Sequence, residues 1–316
     1  MSVSIVIVGF HSWSDIGEGL DVLDPTQFEV IVVDNVPEPK VAEQFAQQHP
    51  NIKVINNHAN LGFGHGCNLG AAAASGDTLL LLNPDARAKA HVISAMAERL
   101  TQSNTAVLTT QLVDQNGRKA KAGDVFPSLL TLFGPIRSLV RRLRKPRSDG
   151  PLRFVDWVSG AALMIPSPLF KQLGGFSEDY FMYSEDVDLC YRVRQLGHEV
   201  AIDETLYIEH RHGGSSRAND QLAAQMRTEA IKSRHVFASK HLGPGHALAY
   251  HVALASSRML LPLMLWPLSR LLRGKLKQRA LMAPLLLNYL KTRVLTGTWV
   301  SVRAPSQQAV NAEGST

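Results

Sequence analysis

Four short stretches of this sequence combine residue types that do chemistry. The first is Leu79-Leu80-Leu81-Leu82-Asn83-Pro84-Asp85, an apolar run that ends in a carboxylate. One carboxylate at a strand tip, completed by phosphate oxygens of a ligand, is a usual way to hold Mg2+ or Mn2+, because these ions keep octahedral oxygen shells. Asn, Pro and Asp also favour turns, so a plain turn is the competing reading of the tripeptide. The second stretch is Asn60-Leu61-Gly62-Phe63-Gly64-His65-Gly66-Cys67-Asn68-Leu69-Gly70. Its glycines let backbone N–H groups approach a ligand where a helix begins, or else serve a turn or close packing. The spacing is not a dinucleotide fingerprint, and it follows the third strand signal rather than the first.

The third stretch runs from Gly174 to Arg192 and gathers Glu178, Asp179, Glu185, Asp186 and Asp188. If a helix starts near Ser184, that residue caps it and Glu185 and Asp186 occupy the first turn. Adjacent carboxylates after an aromatic run also supply a general base. A spacing of two puts Asp186 and Asp188 on different helix faces, so only one needs to face a site. The fourth stretch is Tyr207 to Arg217, where His210, Arg211, His212 and Arg217 surround a Gly-Gly-Ser-Ser turn. That set suits a diphosphate and metal pocket, or reads as ordinary surface histidine and arginine.

The elements that must position these residues alternate. Val3–Val8, Val30–Asp34, Lys53–Asn56 and Thr78–Leu82 are short apolar strand signals. Helical patterns lie between them, around Asp15–Leu23, Pro39–His49 and Gly64–Ser75, with a further helix at Ala88–Ser103. Continuous apolar strands separated by helices imply a parallel sheet covered on both faces, with ligands at the carboxyl ends of the strands. Gly9-Phe10, Asp34-Asn35 and Asn83-Pro84-Asp85 should therefore converge on one crevice. Irregular strands follow over Asn104–Phe126 with a turn at Gln115–Gly117, then strand-like Trp157–Pro166, a helix over Ser184–Leu196 and two short strands within Glu199–Ile208. Asp220–His241 reads as a helix, with further tail helices after it.

The chain has 316 residues, 45% hydrophobic and 19% charged, which excludes a disordered tail protein and a disulfide-stapled mini-domain. Two cysteines, Cys67 and Cys190, suggest a reduced compartment. The net charge of +6 hides a split: residues 1–229 hold 21 basic and 26 acidic residues, while 230–312 hold 12 basic residues and no acid. An acidic body with a basic, apolar tail points to an anionic partner surface. Residues 127–150 interleave Leu, Ile and Phe with Arg and Lys, as suits a membrane surface or a mobile solvated loop. The apolar start lacks preceding Lys or Arg, so it reads as a buried strand and not a signal peptide. Ala247–Ser269 has the length of a membrane span but carries Arg258 at its centre, which costs about 2.5–3.5 kcal/mol on insertion scales. A helix lying in the membrane interface is the preferred expectation for the tail, with a true span or a helical subdomain packed on the body as alternatives.

Taken in order, these motifs resemble family 2 inverting glycosyltransferases of the GT-A fold, and look most like the rhamnosyltransferase branch that builds bacterial cell-wall and O-antigen glycans. The resemblance covers about residues 3–217. It rests on Ser4-Ile5-Val6-Ile7-Val8, Val32-Val33-Asp34-Asn35, Asn60 to Gly70, Leu82-Asn83-Pro84-Asp85, Gly160-Ala161, Gly174-Gly175-Phe176, Phe181-Met182-Tyr183, Glu185 to Cys190, and His210. It implies an α/β fold, a Rossmann-like mixed sheet flanked by helices, followed by an amphipathic helical extension. The expected organisation is a catalytic domain at 1–220 with a basic insertion at 127–150, a membrane-associating helical extension at 221–303, and a disordered tail at 304–316.

The resemblance also implies roles. Asp34 would accept hydrogen bonds from a pyrimidine base or ribose, with Gly9 and Phe10 lining that pocket and Asn35, Asn60, Gly62, Gly66, Asn68 and Asn83 completing the donor-nucleotide site. Asn83-Pro84-Asp85 stands in place of the family's Asp-x-Asp, leaving Asp85 as carboxylate ligand to Mg2+ or Mn2+, joined by His210. Asp186 takes the position of the catalytic base, with Glu185 beside it, and Trp157, Gly160, Tyr183 and Asp188 fall on the acceptor side. Two departures are the Val36-Pro37-Glu38-Pro39 turn and Ala86 after Asp85. The implied donor is a nucleotide-sugar, dTDP-L-rhamnose first, with UDP-galactofuranose or a UDP-hexose as alternatives. The acceptor would be a lipid-diphosphate-linked sugar or a glycan at the cytoplasmic face of an anionic membrane, and no nucleic acid is expected. A sugar nucleotidyltransferase is the rival enzyme, although Gly9-Phe10-His11-Ser12-Trp13 lacks the basic residues such enzymes carry there. A silent scaffold is a third reading, against which Asp85 and the Glu185-Asp186 pair weigh.

Overall fold

The computed structural model describes residues 2–144, 147–211 and 219–299. In chain order the first half comprises β1 (Val3–Gly9), α1 (Trp13–Leu23), β2 (Glu29–Asp34), α2 (Lys40–Gln48), β3 (Lys53–Asn56), α3 (Phe63–Ala73), β4 (Thr78–Leu82), β5 (Ala86–Arg87), α4 (Ala90–Gln102) and β6 (Thr105–Val113). The second half comprises β7 (Gly123–Asp124), α5 (Gly134–Leu143), β8 (Ser148–Asp149), β9 (Leu152–Phe154), β10 (Trp157–Val158), β11 (Ala162–Pro166), α6 (Ser167–Gln172), α7 (Glu185–Gln195), β12 (Glu199–His210), α8 (Asp220–His241), α9 (Pro244–Leu265) and α10 (Gly274–Thr296).

The central sheet runs β3-β2-β1-β4-β11-β6-β12-β9-β8. The block β3-β2-β1-β4 is parallel, and β11 is antiparallel to both β4 and β6, so the sheet is mixed. The apolar strand signals dictate this placement: Ile5, Ile7, Ile31, Val32, Leu80 and Leu81 are all essentially inaccessible, as a sheet covered on both faces demands. The parallel register brings Gly9 opposite Asp34 and Ile7 opposite Leu82, which lines up the three strand tips at one edge.

Two sequence expectations change. Glu199–His210 is one strand with an irregularity between Asp203 and Tyr207, rather than two short strands. Residues 134–143 form helix α5, not a loop, and Arg141 pins it to Asp124 while Arg144, just beyond its end, pairs with Asp156. The sharp chain reversal at β5 also explains one departure from the family pattern. Ala86 is 1% exposed in the short β5 strand and pairs with His210, so a larger side chain there would have to displace core.

The tail forms a helical layer: Ala224, Ile231, Tyr250, Leu254, Met259, Met282 and Leu286 from α8, α9 and α10 pack together with Leu132. Val236 and Phe237 of α8 pack on Tyr180 and Val187, joining that layer to the body. The outer face of the layer keeps Leu248, Val252, Leu260 and Met264 exposed, and α5 exposes Ile136, Leu139 and Leu143. Among the described residues, Pro244–Leu268 is the one helical stretch long and apolar enough to cross a membrane. It contains Arg258 and a mid-helix Pro262.

Candidate active site

His210 and Asp85 meet because β12 folds back on β5. Glu209 pairs with Arg87 and His210 with Ala86, and the Arg211 N–H donates to the Asp85 carbonyl at 3.2 Å. The Asp85 Oδ1 and His210 Nε2 atoms lie 3.0 Å apart, and Asn83 Nδ2 lies 3.2 Å from the same imidazole nitrogen. Cis ligands on an octahedral ion with ~2.1 Å bonds are separated by about 3 Å, so this carboxylate and imidazole have the spacing a Mg2+-sized cation requires. No third acidic, histidine or cysteine ligand joins them among the described residues, which leaves the other coordination positions to ligand oxygens.

A continuous set of contacts leads from there to the acidic helix. The Asn83 N–H donates to the Ala161 carbonyl at 2.9 Å, and the N–H of neighbouring Gly160 donates to Asp186 Oδ2 at 3.0 Å. Asp186 Oδ1 accepts the Val187 N–H at 2.8 Å. Its carboxylate therefore has backbone partners, and it remains partly accessible. Burial holds its pKa above the ordinary aspartate range, against the opposing pull of these N–H groups and the Lys121 charge. Glu185 is buried beside it and is pushed well up, by desolvation first and then by the Asp186 charge. Two adjacent carboxyls whose burial favours their protonated forms make an arrangement that can take up a proton. Ser184 precedes the helix at φ +64° and makes no side-chain cap, so the acids themselves face the helix start.

Asp188 is corrected: it does not face the acceptor side. It is 0% exposed, accepts from Tyr180 OH at 3.2 Å and from Arg192 Nε at 2.8 Å, and lies 2.6 Å from His241 Nε2 of α8. Arg192 and His241 hold its pKa below the usual range despite burial. The two-residue offset from Asp186 turned it to the opposite face of α7.

The expected donor pocket divides in the same way. Phe10 is 42% exposed at the β1 tip, and Gly9 supports it. Asp34 is 1% exposed; its Oδ1 accepts the Val36 N–H at 3.3 Å, and its Oδ2 is buried without a partner. Desolvation raises its pKa. A buried carboxylate oxygen with nothing bonded to it is what a ligand hydroxyl or base N–H would satisfy. Asn35, Gly62, Gly66 and Asn68, in contrast, are tied into the scaffold. Asn35 donates to the Gly62 carbonyl at 3.0 Å and accepts from Asn57 at 2.9 Å. Asn68 grips both the N–H and the carbonyl of Phe176, at 2.8 and 2.9 Å. Gly62 sits at φ +98°, and a Cβ there would lie 2.1 Å from the Phe181 carbonyl. Gly66 lets α3 close onto β1, where a Cβ would lie 2.6 Å from Val8. The glycine run is thus a packing device rather than an anion cradle. Asn60 accepts the Gly62 N–H at 3.3 Å and shapes the same turn.

Of the residues expected on the acceptor side, Gly160 bonds Asp186 directly and Tyr183 adopts φ +69° just ahead of α7. Trp157 donates to the Val125 carbonyl at 2.9 Å, and Lys121 stands 4.9 Å above its ring. Lys121 was missed in the sequence, because nothing in its local spacing joins it to Asp186. Residues 212–218, with the Gly-Gly-Ser-Ser turn, lie outside the described residues. Open cavities of about 580 and 530 Å3 occur elsewhere, at Ser2, Glu29 and Glu98 and beside Glu18 and Arg211; neither is lined by Asp85 or Asp186. The contacts among named side chains, not cavity size, define this site.

Comparison with known proteins gives the family and the fold. The family described as Glycosyl transferase family 2 matches residues 4–163, and the chain belongs to that family. It is a glycosyltransferase, and an inverting mechanism agrees with that membership. It is 29% identical over 237 residues to the N-acetylglucosaminyl-diphospho-decaprenol L-rhamnosyltransferase of Mycobacterium tuberculosis, covering 68% of this chain and 76% of the relative. It is 27% identical over 187 residues to the rhamnosyltransferase WbbL of Escherichia coli, covering 55% and 69%. In fold it matches the mannosyltransferase PcManGT from Pyrobaculum calidifontis in complex with GDP-Man and Mn2+, at TM-score 0.51 and 16% identity over 94% of this chain and 87% of that one. The S. aureus TarS 1–349 structure in complex with UDP-GlcNAc aligns at TM-score 0.51 and 17% identity, over 92% of each chain. These neighbours share the GT-A fold.

Proposed function

We propose that this glycosyltransferase moves a sugar, L-rhamnose from dTDP-L-rhamnose as the first choice, onto a lipid-diphosphate-linked or polysaccharide acceptor in cell-envelope glycan synthesis. The observation that carries the reading is the contact path from Asp186 through Gly160, Ala161 and Asn83 to the Asp85–His210 pair. It supports a proton acceptor and a diphosphate-holding group working in one cleft. The rhamnose choice leans on the named relatives. UDP-galactofuranose and UDP-hexoses remain the alternative donors.

In this reading Asp85 and His210 would hold Mg2+ or Mn2+, which would supply charge neutralisation for a nucleoside diphosphate leaving group. Asp34 would receive the nucleoside through its buried, unpartnered Oδ2, with Phe10 exposed at the neighbouring strand tip. The N–H groups of Gly160 and Val187 fix the Asp186 carboxylate, so its orientation costs nothing further at the moment of reaction. Asp186 takes the proton from the acceptor hydroxyl as that oxygen bonds to the anomeric carbon. The bond from that carbon to the diphosphate oxygen breaks, and its electron pair leaves with the nucleoside diphosphate. Attack from the opposite face inverts the sugar. Burial beside Asp186 favours the protonated form of Glu185, which limits negative charge near the acceptor oxygen.

The enzyme would work as a peripheral protein on the cytoplasmic face of the plasma membrane. The exposed apolar residues of α5 and α9 beside a basic tail support this placement. The test is a thermal-shift panel of nucleotide-sugars with Mn2+ or Mg2+, followed by product analysis. A ligand specific to the native state raises its apparent stability by RT ln(1 + [L]/Kd). Release of a nucleoside diphosphate supports transfer; release of inorganic pyrophosphate identifies a nucleotidyltransferase and overturns it.

A further inference from the structure

Helix α5 shows its apolar side to the outside. Ile136, Leu139, Val140 and Leu143 recur at three- and four-residue spacing and make one apolar stripe. A helix on a protein surface turns such a stripe to the core. Here no residue of α5 is buried, and Leu139 and Leu143 are 53% and 74% exposed. The side that meets the body is the charged one. Arg141 makes a two-pronged bond to Asp124, with Nε to Oδ1 at 2.6 Å and Nη2 to Oδ2 at 2.9 Å, and Arg144 Nη1 donates to Asp156 Oδ2 at 2.8 Å. The apolar stripe is therefore left uncovered among the described residues.

Length and charge say what covers it. With its 10 residues α5 is about 15 Å long, roughly half the hydrocarbon thickness of a bilayer, so it can lie in a membrane surface but not cross one. Residues 127–150 hold six basic residues and one acid, and 230–312 hold 12 basic residues and none. Leu132, just ahead of α5, packs into the α8–α10 layer, whose α9 exposes Leu248, Val252, Leu260 and Met264. Both apolar surfaces thus belong to segments with surplus positive charge, which matches an anionic leaflet.

The charged side of α5 leads to Asp186. Asp124 lies on β7 and pairs with Trp157 of β10, and Asp156 immediately precedes β10. Ser159, just past β10, donates its N–H to the Ala122 carbonyl at 2.8 Å, and Gly160 then donates to Asp186 Oδ2 at 3.0 Å. Two arginines therefore tie α5 to the two-stranded ribbon that orients Asp186. We propose that α5 lies with its apolar stripe in the headgroup–acyl boundary of an anionic bilayer and there, through Arg141 and Arg144, steadies that ribbon. This rests on the peripheral membrane placement above, and adds which helix enters the bilayer and what it holds. Arg141 and Arg144 are positioning residues, acting on Asp186 through the ribbon.

The experiment combines vesicle sedimentation with amide hydrogen exchange on the full chain. Phosphatidylglycerol vesicles should bind it, and L139E/L143E should weaken that binding by about tenfold or more. The melting temperature of L139E/L143E should be unchanged, because both leucines are exposed. On saturating vesicles, exchange at residues 157–161 should slow by about threefold or more, and in R141Q/R144Q that slowing should be lost. Equal slowing in R141Q/R144Q overturns the tie to the ribbon, as does no slowing in the wild-type chain. Undiminished vesicle binding by L139E/L143E overturns this inference alone, whereas a wild-type chain that binds no vesicle overturns the membrane placement with it. Equally tight binding to phosphatidylcholine vesicles overturns the anionic assignment. A lowered melting temperature in L139E/L143E shows the leucines covered within the chain, and a wild-type dimer that this variant dissociates makes the stripe an interface between copies; either result overturns the proposal.

Discussion

Asp186 and Asp188 sit two residues apart on α7 in opposite surroundings. Asp186 stays partly accessible, with two backbone N–H groups for partners and a pKa held up by burial. Asp188 is sealed behind it, bonded to Tyr180, Arg192 and His241, with a pKa held down by those charges. The first keeps its raised pKa through burial, in spite of its two backbone N–H partners, as the proposed base requires. The second is fully satisfied and therefore rigid. One helical turn supplies both, and the comparison predicts that identical substitutions will separate function from stability.

The largest effect expected is on turnover. Asp186→Asn keeps the shape and loses the base, so kcat should fall by about 10^2–10^4-fold while nucleotide-sugar binding persists. Its melting temperature at neutral pH should hold or rise, since a carboxylate whose folded pKa is raised destabilises the folded state once ionised. Near-normal turnover would remove Asp186 from the mechanism. Asp188→Asn should do the reverse. It leaves Arg192 and His241 facing a neutral group and should cost about 3–5 kcal/mol in denaturant unfolding, with the activity of the folded fraction retained. If Asp188→Asn abolished activity at unchanged stability, the division between the two acids would fail.

His210→Ala tests the other end of the contact path. Its activity should fall about 10–100-fold at limiting Mn2+ and recover in part at higher Mn2+. A loss independent of metal concentration would point to a different role for the imidazole. The smallest effect is on pH dependence. The depressed pKa of Asp188 gives stability that is present above the unfolded aspartate pKa near 3.9 and is lost as pH falls through the lower folded value. The raised pKa of Asp186 shifts the acid limb of kcat upward from the range of a free aspartate, and in Asp186→Asn that limb should vanish from residual activity.

Much of the site was legible where a buried strand ends. Asp34, Asn83 and Asp85 could be placed because period and burial fix a strand tip, and parallel pairing brings tips together. The expected ligand side chains that the fold instead ties into its scaffold are those whose partners are remote in sequence. Asn68 holds Phe176 across 108 residues, and Asp188 meets His241 across 53. Asn35 looked like a pocket residue because it follows Asp34, yet its amide closes the Gly62 turn. Asp124 takes its cations from neighbouring Lys121 and, across 17 residues, from Arg141 of α5, so local spacing alone does not show the cluster. The amphipathic insertion was visible as a pattern, and only its packing decided between helix and loop.

The His241–Asp188 contact has a practical consequence for where this protein can be cut. Helix α8 supplies His241, Val236 and Phe237 to the back of α7, and its Ser233 hydroxyl donates to the Met182 carbonyl at 2.7 Å. A fragment ending near residue 220 would strip a counterion and an apolar cover from the helix that bears Asp186. The minimal catalytic unit should therefore end after His241, and a soluble version should be sought by trimming α9 and α10 while leaving α8 in place.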